Sequence, residues 1–231
     1  MINCHQNLPL VAIGTDKHLV ILALDTIKFS QAYSDMNSFY VKNYDFVMKD
    51  LETGGEKVLI DSLYRGTSSL LRSAKPNQIQ INIHNKSKFT FIVTYKETKS
   101  TDAKVFYIEV DKKTYSAHSK QVLVKNAVFI GKNKLAYLNN GNIELSDTDT
   151  LLSLGSIKDF SNLDQIYEGG VGKLILRQKT NLKLYDTINK KVVGQSDELV
   201  FKKLNKAIWN KQNTMCALVC KKMIYVFNKN F

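Results

Sequence analysis

The chain has 231 residues, 44% of them hydrophobic, and its 33 Lys and Arg against 21 Asp and Glu give a formal net charge of +12. That length and apolar content exclude a peptide and a disordered tail and suit one large domain or two small ones. With 2 Pro, 11 Gly, 3 Cys and no sustained heptad, collagen, a disulfide scaffold and a coiled coil are excluded as well.

From the N-terminus, residues 1–7 lack the basic start and long apolar core of a leader and the Gly that myristoylation needs, so a cytosolic address is expected. A first hairpin is predicted over residues 10–24, whose apolar run 19–24 is strand-sized. No apolar run approaches the roughly 18 residues of a membrane span. An irregular unit follows over residues 40–63. Residues 67–74 read as a short helix or irregular loop ended by Lys75-Pro76-Asn77. Residues 79–83 alternate strictly between apolar and polar, as a strand does. Further β-branched and aromatic runs occupy residues 89–93, 105–110, 135–138, 174–176, 182–185 and 224–227. The reading is all-β.

The strands repeat. Phe89, Leu135, Leu174 and Met215 are separated by 46, 39 and 41 residues, and Val105, Ile143, Leu182 and Ile224 by 38, 39 and 42. Beyond the second set come Asp111, Asp147, Asp186 and Asn228, at intervals of 36, 39 and 42. A period near 40 is that of the four-stranded blades of a WD40-like β-propeller, and Leu184-Tyr185-Asp186 stands where such a repeat has Trp-Asp. Hairpin turns fall at Asn140-Gly141-Asn142, Lys179-Thr180-Asn181 and Lys221-Lys222. About five or six blades are predicted within one domain over residues 1–231, with a β-sandwich as the competing architecture. The last unit stops after its third strand; either residues 10–13 supply a fourth or the chain is an excerpt of a longer one.

Candidate chemistry is sparse. Gly169-Gly170-Val171-Gly172-Lys173 resembles part of a phosphate loop, but Tyr167 and Leu174 stand where the full motif needs Gly and Ser or Thr, so a β-turn is expected. Cys216 and Cys220 fall on one face of a strand with no His near them and read as buried thiols. His5, His18, His84 and His118 are isolated in sequence. Asp147, Asp149, Asp159 and Asp164 read as turn residues, and Trp209 as a core residue between blades. The sequon at Asn85-Lys86-Ser87 matters only in a secreted chain. No catalytic, metal or cofactor-binding residue is assigned, and no cofactor is expected. Lys supplies 30 of the 33 basic residues, whereas phosphate and base recognition lean on the Arg fork.

Ala127 to Leu138, Ile166 to Arg177, Leu182 to Asp186, Ala207 to Asn210 and Ala217 to Val219 together resemble the WD-associated region of coatomer, the α subunit most closely. The resemblance implies the second of two tandem N-terminal β-propellers, a scaffold of the COPI vesicle coat that is not an enzyme. The implied role is Golgi-to-ER and intra-Golgi transport, at a cytoplasmic position peripheral on Golgi and vesicle membranes. The implied partners are other coatomer subunits, β′ and ε among them, with the membrane reached through the coat and no nucleic acid or small-molecule substrate. Dilysine signals are read by the first propeller of that family, so no site residue carries over. The alternative is a basic propeller binding RNA or anionic lipid through Lys-rich turns.

Overall fold

The computed structural model describes residues 2–4, 10–14, 19–23, 31–63, 76–96, 103–160, 162–197, 204–210, 212–220 and 223–229. Among them all regular structure is strand, arranged as six antiparallel sheets in chain order. The first sheet comprises β1 (Ile2–Cys4), β2 (Leu10–Gly14) and β3 (Leu19–Ala23).

Five blades follow, each a meander in which sequential strands are hydrogen-bonded neighbours. Blade I holds β4 (Gln31–Ser34), β5 (Asn37–Lys42), β6 (Asp45–Asp50) and β7 (Glu56–Ile60). Blade II holds β8 (Gln78–Ile81), β9 (Lys88–Lys96), β10 (Ala103–Asp111) and β11 (Ala117–Val124). Blade III holds β12 (Asn126–Gly131), β13 (Lys134–Asn139), β14 (Asn142–Asp147) and β15 (Ser153–Ile157). Blade IV holds β16 (Gln165–Glu168), β17 (Lys173–Gln178), β18 (Asn181–Asp186) and β19 (Lys191–Asp197). Blade V holds β20 (Leu204–Trp209), β21 (Met215–Cys220) and β22 (Ile224–Asn228).

The core lies between blades, and the two-residue period of the strand sorts each side chain to one neighbour or the other. In blade II, Phe91, Val93, Phe106 and Ile108 face blade I, where the Phe39 ring lies tilted against that of Phe91 with the centroids 4.6 Å apart. The alternate residues Ile92, Val105 and Tyr107 face Phe129 and Leu135 of blade III. Val128 and Ile130 point the other way, onto Ile166, Leu174 and Leu176 of blade IV. Tyr167 and Ile175 of blade IV then meet Trp209, Cys216 and Leu218 of blade V. Strands buried on both faces need apolar residues at successive positions, which is why these runs are continuous. First strands β12, β16 and β20 neighbour one another in series, as do β4 and β8, so they line the central axis.

The regular β-propeller reading holds, and two expectations are corrected. Residues 40–63 are not irregular: they belong to a complete four-stranded blade that begins at Gln31. Its turns are type I′-like at Asp35-Met36 and Asn43-Tyr44, all four residues at positive φ, with none of the Gly that marks such a turn in sequence. Residues 10–13 do not complete the last blade, because β2 is the middle strand of its own sheet and both of its edges are taken. In residues 79–83 the polar Gln80 and Asn82 are buried while Ile83 is half exposed, since this strand faces the channel and its end turns toward blade III. Residues 67–74, Lys221-Lys222, His5 and His18 lie outside the described residues.

Candidate functional site

Blades I to IV are built on the same turn. Asp50, Asp111, Asp147 and Asp186 end the third strands of blades I to IV, and each Oδ1 accepts the backbone N–H groups two and three residues on, at 2.8–3.0 Å. The amide three residues on is the main cause holding each carboxyl below the usual Asp range. Asp164 caps differently, its Oδ2 accepting the amide of Lys179 at 2.5 Å. Asp149 donates its amide to Asp147, and Asp159 is exposed in a bend. The turn role predicted for Asp147 is what the structure shows, whereas Asp164 stands before β16 and reaches an amide 15 residues on. Gly169–Lys173 is the β16–β17 turn, closed by Gly169 N–H to the Lys173 carbonyl at 3.1 Å. A Cβ on Gly169 would lie 2.6 Å from the backbone of Leu174, so that position is held by packing.

Polar residues gather on the central channel. A cavity of about 290 Å³ opens at the end where the first strands begin, lined by Gln78, Lys125, Asn126, Asp164, Gln165 and Asn205 among others. It narrows to a space of about 20 Å³, room for a single water, beside Gln80, Glu168 and Lys206. There the Glu168 carboxylate accepts from Gln80 Nε2 at 3.3 Å and lies 3.2 Å from His84 Nε2. Blade II thus reaches across the axis to blade IV, past blade III. Asn82 ties the same turn to blade III by donating to the carbonyls of Gly131 and Lys132 at 3.1 and 3.0 Å. Trp209 Nε1 donates to the Glu168 carbonyl at 2.9 Å, bringing in blade V. Burial pushes the Lys206 ammonium down in pKa, with Glu168 opposing. The cluster is a polar clasp across the axis. Sequence alone gave no sign of it, because His84 and Glu168 are 84 residues apart.

A second cluster sits on blade II, where buried Glu109 pairs with Lys88 at 2.5 Å and His118 at 3.7 Å. Cys216 and Cys220 form no disulfide and are buried in the interface of blades IV and V. Burial drives the Cys216 thiol up to about 12, opposite to what a nucleophile needs. Among the described residues no three His, Cys, Asp or Glu side chains come together in a way that could hold a metal ion. Among them, too, no helix is long and apolar enough to cross a membrane.

No family model matches the chain. A putative coatomer subunit alpha of Schizosaccharomyces pombe is 22% identical over 236 residues, an alignment that takes in 99% of this chain and 18% of that protein. Among solved structures, the β-propeller domain of Myceliophteria thermophila Cps50 (Swd1) superposes with a TM-score of 0.54 at 12% identity, covering 99% of this chain and 82% of the other. Kluyvelomyces marxianus Hsv2 gives a TM-score of 0.52 at 12% identity, over 99% of this chain and 71% of that one. The fold is that of the WD40 β-propeller. Likeness at this identity speaks for the fold alone.

Proposed function

We propose that this chain is a non-catalytic scaffold and protein-interaction module of the COPI vesicle coat, the counterpart of the second N-terminal propeller of coatomer subunit α. On this reading residues 1–231 are one propeller domain, acting in Golgi-to-ER and intra-Golgi transport from a cytoplasmic position peripheral to the membrane. Its partners are other coatomer subunits. The observation that carries the proposal is the alignment with a putative coatomer α along 99% of the chain. Two features support it. Blades tied to one another by apolar interfaces and by the axial clasp give a rigid frame for presenting loops, and rigid loops are what a recognition surface needs. In the channel, Gln80 and His84 engage the Glu168 carboxylate, and Asn82 bonds to backbone.

The test is affinity capture from cytosol with the tagged chain at moderate salt, followed by mass spectrometry. Coatomer subunits should be recovered and should persist as salt is raised, because contacts through packed apolar surface are weakly screened. Recovery of RNA-associated proteins that vanish as salt rises would transfer the function to the lysines and overturn the proposal.

A further inference from the structure

In each of the five blades the first strand opens on a carboxamide. Gln31, Gln78, Asn126 and Gln165 are the first residues of β4, β8, β12 and β16, and Asn205 is the second of β20. Because the first strands line the axis, one amide side chain per blade stands at the end of the channel where the cavity of about 290 Å³ opens. Two of these amides are taken. Gln31 Oε1 accepts from the Tyr33 hydroxyl at 2.7 Å. Asn126 closes on the backbone of Ile166, donating to its carbonyl at 2.7 Å and accepting its amide at 3.3 Å. Gln78, Gln165 and Asn205, from blades II, IV and V, line the cavity with no side-chain partner among the described residues. Thr94 adds a hydroxyl from the strand position paired with Gln78.

The rest of the lining narrows what such a mouth can hold. It has no aromatic ring and no Arg, and its apolar part is Ala103, Ala127 and Leu204, which disfavours a nucleobase, a phosphate and a lipid tail. Its one ammonium, Lys125, donates to the Leu163 carbonyl at 3.2 Å, and its one carboxylate, Asp164, accepts the Lys179 amide. The two charges cancel, and a single carboxylate is too few ligands for a metal ion. What is left over is a set of carboxamides, each a donor and an acceptor at once. The ligand that matches them carries both functions in one unit, as the peptide group does. At about 290 Å³ the cavity lies at the small end of ligand pockets, with room for a short extended stretch of chain and not for a helix. We infer that the mouth of the channel binds a short segment of a partner polypeptide, held through its main-chain amides by Gln78, Gln165 and Asn205. The inference does not rest on the coat proposal, since it fixes the chemistry of the contact and not the identity of the partner.

Selection of a displayed library of random short peptides on the purified chain tests the inference. Peptides should be enriched, and a synthetic copy of the strongest should bind saturably by fluorescence anisotropy. Gln78→Leu with Gln165→Leu, which removes two amides and keeps the bulk, should weaken that peptide at least about tenfold, and Asn205→Ala should weaken it as well. Methylating a peptide nitrogen of the bound segment should also weaken it, which a contact through side chains alone would not show. Val58→Lys, on the exposed outer strand of blade I, should leave the affinity unchanged, and neither inorganic phosphate nor a short RNA should compete. Thermal melts that match the wild type show that each variant is folded; should one fail, the others decide. The inference is overturned if no peptide is enriched, if the selected peptide binds the Gln78→Leu, Gln165→Leu and Asn205→Ala variants as tightly as the wild type, or if phosphate or RNA displaces it.

Discussion

The four aspartates that end third strands show how much one side chain can organise. Each accepts amides two and three residues on and so fixes the direction in which the chain enters its fourth strand. Their carboxyls titrate below the usual Asp range in the folded state. A carboxyl of that kind contributes stability that is fully present above its unfolded value, about 3.9 for Asp, and is lost as pH falls through the lower folded value. The thermal midpoint should therefore change little on their account above about pH 5 and fall in the acid range. Replacing all four by Asn, which keeps an oxygen acceptor without the charge, should flatten that acid limb in a series of melts. The residue four positions after each Asp lies at positive φ: Gly54, Tyr115, Leu151 and Lys190. Only the first is glycine. Lys190 is exposed, at φ 50°, and Lys190→Gly should raise stability by about 0.5–1 kcal/mol, read by denaturant unfolding.

At the scale of the element, the blade is stabilised by its neighbours as much as by its own ladder. Leu174 is fully buried between blades III and IV. Leu174→Ala should cost about 2–5 kcal/mol in urea unfolding, while Leu152→Ala, on an exposed turn, should stay within about 0.5 kcal/mol. Blades II to V were legible in sequence because their second strands read as apolar runs, most continuous in blades II to IV where those strands are largely buried on both faces, with a turn residue at a fixed distance. Blade I was not. It opens on Gln31-Ala32-Tyr33-Ser34 and turns through Asp35-Met36, where positive φ falls on side chains that carry no turn signal. The regular repeat was visible, too, only where loop lengths agree; β9 and β10 are nine residues each, and the first interval stretches to 46. The axial clasp was invisible for a different reason, since its partners come from four blades and the pairing exists only once the sheets are closed about an axis.

At the scale of the molecule, chemistry and architecture point the same way. At the axis Gln80, Asn82, His84 and Glu168 hold blades together, and Met36, Leu51, Ile83, Leu152, Val171 and Ile188 stand exposed on turns at one end. That is the distribution expected of a part that works by being held against other proteins. The measurement that tests this most directly is a titration of the purified chain against purified coatomer subunits by calorimetry, repeated at low and moderate salt. The account predicts saturable binding with a negative heat-capacity change and an affinity that falls little with salt. Absence of binding to every subunit, together with salt-sensitive binding of RNA or anionic vesicles by the same preparation, would contradict it.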